Sequence, residues 1–180
     1  MSTENLLMDA DDIRRTIVRI AHEVLERNRG SQDLVVIGIL RRGAPVAKRL
    51  AFELARIEGG AVPVGTVDPR PYRDDVEKGE TPPDNSDIPF SIKDKRVILV
   101  DEVMHTGRTV RAAMDTLVKQ GRPACIQLVA LIDRAHRELP ISPDYIGRSI
   151  ATEPDDFVRV ELTELDGQDR VIVEKREPRR

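Results

Sequence analysis

Three short, almost continuously apolar runs constrain the fold of this chain more than any other feature. They are LVVIGI from Leu34 to Ile39, RVILV from Arg96 to Val100, and IQLVALI from Ile126 to Ile132. Runs of this length that are rich in β-branched residues are typical of strands buried on both faces, as in a parallel sheet covered by helices. Because segments with helical spacing separate the runs, the sequence predicts an α/β domain with a mainly parallel central sheet.

The separating segments have the apolar spacing and the end signals of helices. Residues 11–29 predict a first helix, with one apolar stripe formed by Ile13, Ile17, Ile20, Ala21 and Val24. A second helix is predicted to start near Pro45 and to end at Gly59, because proline suits a first helical turn and glycine suits a helix end. A third helix is predicted to end at Gly121. The segment from Ala61 to Val67 predicts a further strand.

Two regions depart from this alternation. The segment from Pro69 to Ser91 has five prolines, many charges and almost no apolar periodicity. It predicts a mobile surface loop at about residues 69–91, inside a single domain of residues 1–180. Three strand-like segments are expected to form a small cap beside the sheet: Tyr145–Ile150, Phe157–Leu162 and Arg170–Val173.

Composition and charge exclude several classes of protein. A net charge of −3 argues against a protein that coats nucleic acid with its whole surface, and leaves a local basic face open. The single cysteine, Cys125, excludes an internal disulfide and indicates a reducing compartment. No apolar run approaches the roughly 20 residues of a membrane span, and the acidic N-terminal segment lacks the features of a signal peptide. We therefore expect a cytoplasmic protein that does not enter a membrane.

The segment from Val97 to Val110, VILVDEVMHTGRTV, combines a buried strand, two acids, a small turn and the start of a helix. In open parallel sheets, ligands bind beside the turn that follows the carboxyl end of a strand. Gly107 lets the backbone approach a ligand closely, and the N–H groups of the turn together with the helix dipole form a cradle for an anion. Thr106 and Thr109 add hydroxyl donors. The spacing fits neither a Walker loop nor a G-x-G-x-x-G fingerprint.

Asp101 and Glu102 stand at the end of the strand, next to this cradle. Carboxylates repel phosphate, and their natural partners here are the vicinal hydroxyls of a ribose, which donate hydrogen bonds to carboxylate oxygens. The segment therefore predicts a binding site for a ribose 5-phosphate. The alternative is that both acids are solvated charges at a strand end and that TGRT only caps a helix.

VILVDEVMHTGRT resembles the motif with which type I phosphoribosyltransferases bind 5-phosphoribosyl-1-pyrophosphate (PRPP). The likeness extends from about residue 12 to residue 173. IRRTIVRIAHEVLERNRG, VGTVDPRPYRDD, GRPACIQLVALIDRAHRELPI and DYIGRSI are similar to segments of the PyrR family, which combines uracil phosphoribosyltransferase activity with uridine-nucleotide-dependent binding to pyr messenger RNA. The resemblance implies the type I phosphoribosyltransferase fold: a mainly parallel central sheet flanked by helices, a small hood at about residues 133–150, and C-terminal strands.

The resemblance also implies roles for individual residues. The ribose hydroxyls of PRPP would contact Asp101 and Glu102. The 5′-phosphate would lie in the loop formed by Val103, Met104, His105, Thr106, Gly107, Arg108 and Thr109. The diphosphate would lie against Arg41, Arg42 and Gly43, in a loop where the family often has a non-proline cis peptide. A flexible lid would begin with Tyr72, Arg73 and Asp74, and the hood would present Asp133 and Arg134 to the base.

The reaction implied is displacement of diphosphate from C1 of PRPP by N1 of uracil. The sequence has no His, Cys and carboxylate cluster for a metal cage, so Mg²⁺ would arrive bound to PRPP. The implied partners are PRPP, uracil, UMP or UTP, pyr messenger RNA, and further copies of the chain in a homodimer or larger homo-oligomer. Two alternatives stay open: a nucleotide-sensing regulator that binds RNA with little catalysis, and a phosphoribosyltransferase for another base.

The polar face of the first helix is an independent indication of RNA binding. Opposite the apolar stripe lie Arg15, Arg19, His22, Glu26 and Arg29. Such a face can bind phosphates, and a symmetric dimer would double it. Arg137 and Arg148 are predicted to extend it. The alternative is an ordinary solvated helix face.

Several positions differ from the residues usual in the family. The second acid is Glu102 where the family usually has aspartate, and His105 stands where it usually has tyrosine. Arg41 replaces a threonine and Ala135 a glycine. These differences bear on uracil turnover and on RNA attenuation more than on the binding of ribose phosphate.

Overall fold

The computed structural model describes residues 3–76, 79 and 81–175. Along the chain the elements are β1 (Thr3–Met8), α1 (Ala10–Asn28), β2 (Leu34–Ile39), α2 (Gly43–Glu58), β3 (Val64–Val67), β4 (Arg96–Met104), α3 (Arg108–Gln120), β5 (Cys125–Asp133), β6 (Tyr145–Ser149), β7 (Phe157–Glu161), α4 (Thr163–Asp166) and β8 (Arg170–Lys175). None of the described helices is long and apolar enough to cross a membrane.

Five strands form the main sheet in the order β3-β2-β4-β5-β6, and every neighbouring pair is parallel. The three apolar runs are its central strands, and β2 is buried along its whole length. On one face, Val36 and Ile98 pack with the apolar stripes of α1 and α2, while on the other, Ile37 and Leu99 pack with α3. Two covered faces explain why these strands lack polar alternation.

The predicted helices form, with ends close to those expected. The first begins at Ala10, where Asp9 accepts a hydrogen bond from the N–H of Asp12 at 2.8 Å in a capping box. The strand predicted from Ala61 to Val67 is shorter, because only Val64–Val67 pairs with β2.

The C-terminal segments do not form one cap, so part of that prediction is wrong. Strand β6 is instead the fifth strand of the main sheet, where Tyr145 is buried beside β5. At Gly147 the backbones approach so closely that a Cβ would lie 2.2 Å from the carbonyl oxygen of Leu131. Of the three predicted cap segments, β7 and β8 belong to a smaller antiparallel sheet. Its third strand is β1, which the sequence did not predict, and the strand order is β1-β8-β7.

Asp68 forms hydrogen bonds with both the start and the later part of the segment predicted as a mobile loop. The buried carboxylate accepts hydrogen bonds from the N–H groups of Arg70 at 3.0 Å and Asn85 at 3.1 Å. The N–H of Asp68 donates to Ser86 Oγ at 2.8 Å. The side chain of Arg70 and these N–H groups hold the pKa of Asp68 below its usual value. The mobility of the segment stays a prediction, and Glu77, Lys78 and Glu80 lie outside the described residues.

Candidate active site

The loop that the sequence predicts to cradle an anion lies where β4, the central strand of the main sheet, ends. The chain leaves β4 at Met104, turns at Gly107 with a φ of 94°, and enters α3 at Arg108. A cavity of about 120 Å³, here named the loop cavity, is lined by Asp101 and most of the loop from Val103 to Val110. The first N–H groups of α3 have no acceptor within the helix. That of Arg108 donates to Thr106 Oγ1 at 3.3 Å, and those of Thr109 and Val110 can donate to an anion.

The two acids of β4 face different spaces, because consecutive side chains of a strand alternate. Asp101 is buried and lines the loop cavity. Glu102 lines two neighbouring cavities: the arginine cavity, of about 420 Å³ with Arg41 and Arg42, and the hood cavity, of about 240 Å³ with Arg134. Burial, and next the nearby Glu102, raise the pKa of Asp101 well above its usual value.

The loop after β2 lies directly against the end of β4. At Gly43, an added Cβ would lie 2.5 Å from the carbonyl oxygen of Val100, so only glycine permits this approach of the two backbones. The peptide bond between Leu40 and Arg41 is cis. Arg42 Nη2 pairs with Asp166 Oδ1 of α4 at 2.9 Å, which places its guanidinium beside the arginine cavity.

The end of β5 supplies one residue to the hood cavity and a brace for the hood. Arg134 is buried, and its guanidinium donates to Thr152 Oγ1 at 3.3 Å and to the carbonyl oxygen of Glu153 at 3.2 Å. Burial lowers its pKa, although the guanidinium stays charged. Asp133 does not line the cavity, and its carboxylate instead accepts hydrogen bonds from Ala135 N–H and from Arg137 Nη2, at 3.0 and 2.9 Å.

The first residues of the predicted lid reach the phosphate loop through an ion pair. Arg73 forms a two-bond pair with Asp75, at 2.8 and 2.5 Å. Asp74 pairs with Arg108 at the start of α3, and Arg108 Nε also donates to Glu138 Oε2 at 2.6 Å. One guanidinium therefore joins the start of the lid to the hood. Tyr72 ends a short 3₁₀ turn and is exposed.

Known proteins have sequences and folds similar to those of this chain. Residues 7–168 match the phosphoribosyl transferase domain family. The bifunctional protein PyrR of Alkaliphilus metalliredigens is 51% identical over 176 residues, which cover 97% of each chain. That of Deinococcus radiodurans is 49% identical over 174 residues, 96% of this chain and 94% of the relative. The chain belongs to the bifunctional PyrR family. The resemblance drawn from the sequence motifs is thereby confirmed.

Solved structures of lower identity confirm the fold class of this PyrR family member. A hypoxanthine phosphoribosyltransferase from Trypanosoma cruzi has a TM-score of 0.70 at 22% identity, covering 94% of this chain and 95% of that one. One from Staphylococcus aureus has a TM-score of 0.69 at 22% identity, covering 93% and 90%. The type I phosphoribosyltransferase architecture is thus confirmed.

The structure gathers most of the predicted RNA-binding residues around α1 and β6. Arg15 and His22 are exposed on the outer face of α1. Arg19 Nη2 donates to the carbonyl oxygens of Ile146 and Gly147 at 3.1 and 2.6 Å, so its side chain crosses from α1 to β6. Arg19 Nη1 also pairs with Glu23 Oε1 at 2.7 Å. Arg15, Arg19 and His22, together with Arg148 of β6, form what is here named the basic surface.

Three other residues of that prediction have distinct surroundings. Arg148 of β6 donates to the carbonyl oxygen of Leu7, just before α1, at 2.5 Å. Arg29 is the exposed C-cap of α1, at its far end. Arg137 is tied to the active site, since its guanidinium donates to the carbonyl oxygen of His105 at 2.9 Å and pairs with Asp133. None of its described hydrogen bonds reaches α1 or β6.

Two contributors to the PyrR site were missed from the sequence. Asp166 pairs with an arginine 124 positions earlier, and α4, which carries it, is only four residues long, too short for apolar periodicity. Phe157 at the start of β7 lines the hood cavity and is half exposed. An exposed aromatic residue in a chain with 3% aromatics is a signal that could have pointed to it.

Proposed function

We propose that this PyrR family member transfers the phosphoribosyl group of PRPP to uracil, producing UMP and diphosphate. The observation that carries the proposal is that three cavities meet at the end of β4. Glu102 is shared by the arginine and hood cavities, while Val103 and His105 are shared by the loop and hood cavities. A phosphate, a diphosphate and a base, joined through one ribose, require such an arrangement.

Each cavity then has a chemical role. The 5′-phosphate binds in the loop cavity, where Thr106, Thr109 and the first N–H groups of α3 donate to it. Asp101 and Glu102 hold the ribose hydroxyls. Arg41 and Arg42 hold the diphosphate and stabilise the negative charge that it gains as the C1–O bond breaks. These groups act by positioning and electrostatics, which is how a leaving diphosphate is displaced without covalent catalysis.

Uracil occupies the hood cavity in this proposal. Arg134 presents charge and main-chain groups there, and Asp133 braces the hood through Arg137. Tyr72, Arg73 and Asp74 begin a lid whose closure excludes water while the glycosidic bond is exchanged.

Mg²⁺ is the cofactor that we propose, bound to the diphosphate of PRPP. Among the described residues, no group of three or more His, Cys, Asp or Glu side chains has the arrangement of a metal site. The proposed ion therefore takes most of its ligands from the phosphate oxygens of PRPP and from water, as Mg²⁺ usually does. When bound, it neutralises the charge on the leaving group.

A panel of bases tests the activity. The protein is incubated with PRPP, Mg²⁺ and either uracil, cytosine, orotate or hypoxanthine, and the nucleotide and diphosphate formed are measured. We expect UMP from uracil, with at least about tenfold less product from the other bases, since a polar site rejects a base that leaves its groups unpaired. Preference for another base would replace uracil in the proposal. No product from any base would favour the nucleotide-sensing regulator.

A second function, binding of pyr messenger RNA in response to uridine nucleotides, is supported by the basic surface of α1 and β6. Arg15 and His22 are exposed there, beside Arg19 and Arg148. A homodimer would place two copies of this surface on one RNA. We place both functions in the cytoplasm, where the exposed thiol of Cys125 stays reduced.

A gel-shift assay against pyr leader RNA, with and without UMP, tests this function. The charge reversal of Arg15, Arg19 and Arg29 to Glu is expected to weaken binding by 100-fold or more, because roughly three phosphate contacts are lost. The matched control reverses Lys93, Lys119 and Arg122, which are exposed around the C-terminal end of α3, on the face of the sheet opposite α1. Equal effects of the two triple variants would contradict a specific basic surface, and sedimentation of the complex would measure the number of chains on each RNA.

A further inference from the structure

His105 occupies the boundary between two of the cavities. The residue lines both the loop cavity and the hood cavity, and Val103 is the other described residue that does so. Its carbonyl oxygen accepts a hydrogen bond from Arg137 at 2.9 Å. No hydrogen bond joins either nitrogen of its ring to another side chain or carbonyl of the described residues. The ring is half-buried and meets His136 edge-on, with the two centroids 6.0 Å apart.

The charges around His105 favour the neutral form of its ring. Burial is the main reason that its pKa lies below the ordinary value, and Arg134, His136 and Arg137 lower it further. Glu138 opposes this effect. The nearby cations come from the end of β5 and from the segment that follows it. A neutral imidazole has one nitrogen with a free lone pair and can therefore accept a proton near neutral pH.

The proposed reaction needs a proton acceptor at this boundary. Uracil carries a hydrogen on N1, and this hydrogen is lost when N1 bonds to C1 of the ribose. With the ribose phosphate in the loop cavity and the base in the hood cavity, the new bond forms where the two cavities meet. Of the two residues shared there, only His105 can take a proton. The arginines of the hood cavity are donors only, and Glu102 is occupied by the ribose hydroxyls.

We propose that His105 is a catalytic residue, the general base that removes the N1 proton of uracil. As the N1–C1 bond forms, the C1–O bond breaks and its electron pair leaves with diphosphate. The electrons of the N1–H bond stay on the base, and the proton passes to an imidazole nitrogen and then to water after UMP departs. This step rests on the proposed function, because it requires uracil and PRPP to occupy these two cavities.

The first test replaces the imidazole by an amide, which keeps hydrogen bonding but is a much weaker base. His105→Gln is expected to lower kcat by about 100-fold, the lower range for loss of a general base, with the KM for PRPP changed by less than about threefold. In the wild type, kcat has an acidic limb, because the protonated ring cannot accept a proton. The midpoint of this limb lies below about pH 6.5, the ordinary pKa of histidine, since the pKa of His105 is lowered. This acidic limb is absent from the variant. His136→Gln is the control, since His136 lines neither cavity. It keeps kcat and retains the limb, which moves toward higher pH because His136 no longer lowers the pKa of His105.

The second test changes the acidity of the substrate. The electron-withdrawing fluorine of 5-fluorouracil makes the ring N–H groups more acidic, so N1 depends less on a base. The ratio of wild-type to His105→Gln kcat is therefore expected to be at least about fivefold smaller with 5-fluorouracil than with uracil. Equal ratios for the two substrates, or an unchanged acidic limb, would refute the role of His105. A wild-type protein that turns over neither base would instead refute the proposed function.

Discussion

The two ends of the five-stranded sheet both bury polar side chains, and they use them in opposite ways. At the amino end, Asn28 and Gln127 exchange two hydrogen bonds of 2.9 Å. Tyr145 donates to the same Gln127 oxygen at 2.6 Å, and Arg96 donates to the main-chain oxygen of Asn28 at 2.8 Å. This network is closed, because its members satisfy one another. The network stabilises the folded state, since a partner lost from it leaves buried groups unpaired.

At the carboxyl end, polar groups keep hydrogen-bonding capacity that no atom of the described residues uses. Asp101 accepts one bond from the N–H of Glu102, at 3.0 Å, and its side chain otherwise faces the loop cavity. His105 likewise lines two cavities. The comparison teaches that burial of polar groups does not by itself mark a site. A site is marked by buried polar groups with unused capacity that faces a cavity.

The largest expected effect removes both acids of β4. The double variant Asp101→Asn and Glu102→Gln should weaken PRPP binding by about 100-fold or more, because each lost carboxyl acceptor leaves a ribose hydroxyl unpaired, which costs about 1–3 kcal/mol. Titration calorimetry with PRPP and Mg²⁺ measures the affinity, and circular dichroism checks that the variant is folded. Wild-type affinity in a folded double variant would contradict the proposal that Asp101 and Glu102 bind the ribose hydroxyls.

An intermediate effect is expected where two backbones meet at the carboxyl end. Gly43→Ala places a Cβ against the carbonyl oxygen of Val100, so the arginine loop must move away from β4. We expect roughly tenfold slower turnover and a loss of about 1–3 kcal/mol of stability from overpacking. Gly60→Ala is the control, because nothing lies within 4 Å of its added Cβ. If the two variants behaved alike in a turnover assay, close packing of this loop would not matter for activity.

At the amino end, a variant should change stability without changing catalysis. Asn28→Ala removes the side-chain oxygen that accepts from Gln127 Nε2 and the amide that donates to Gln127 Oε1, and it should cost about 1–3 kcal/mol. For a domain of this size, each kcal/mol lowers Tm by roughly 2–4 °C. Thermal melting measures this loss, and steady-state kinetics below the Tm should give a kcat and KM within about twofold of wild type. A larger kinetic change would show that the two ends of the sheet are coupled.

The smallest effect concerns the cost of burying Asp101. Its pKa is raised in the folded protein, so the folded state holds a proton that the unfolded chain releases above about pH 4. The stability associated with this proton is full at acid pH and is lost as the pH rises through the folded pKa. Asp101→Asn removes that loss. We therefore expect the Tm of the variant, relative to wild type, to increase between about pH 4 and pH 8 in thermal melts. A constant difference would mean that Asp101 ionises without cost.

The apolar runs predicted the central strands correctly because burial on both faces leaves a local signature in each strand. The turn at Gly107 was recognisable for a similar reason, since its residue types and the strand before it are adjacent in the sequence. Tyr145 shows where this reasoning failed. Its segment looks like a strand, but the partner of a strand depends on contacts with distant residues, here with β5. The RNA contact of Arg137 stays a prediction, but its bonds to His105 and Asp133 also depend on the tertiary structure, because His105 lies 32 positions away.

The amino-acid sequence by itself determined the alternating elements, the loop after β4 and membership of the PyrR family. These follow from neighbouring residues, whose periodicity and turn chemistry act over a few positions. Only the tertiary structure decided that Asp101 and Glu102 face different cavities, that α4 supplies Asp166 to Arg42, and that His105 stands between two cavities. Such relations arise when long-range packing of the sheet and its covering elements brings distant segments together.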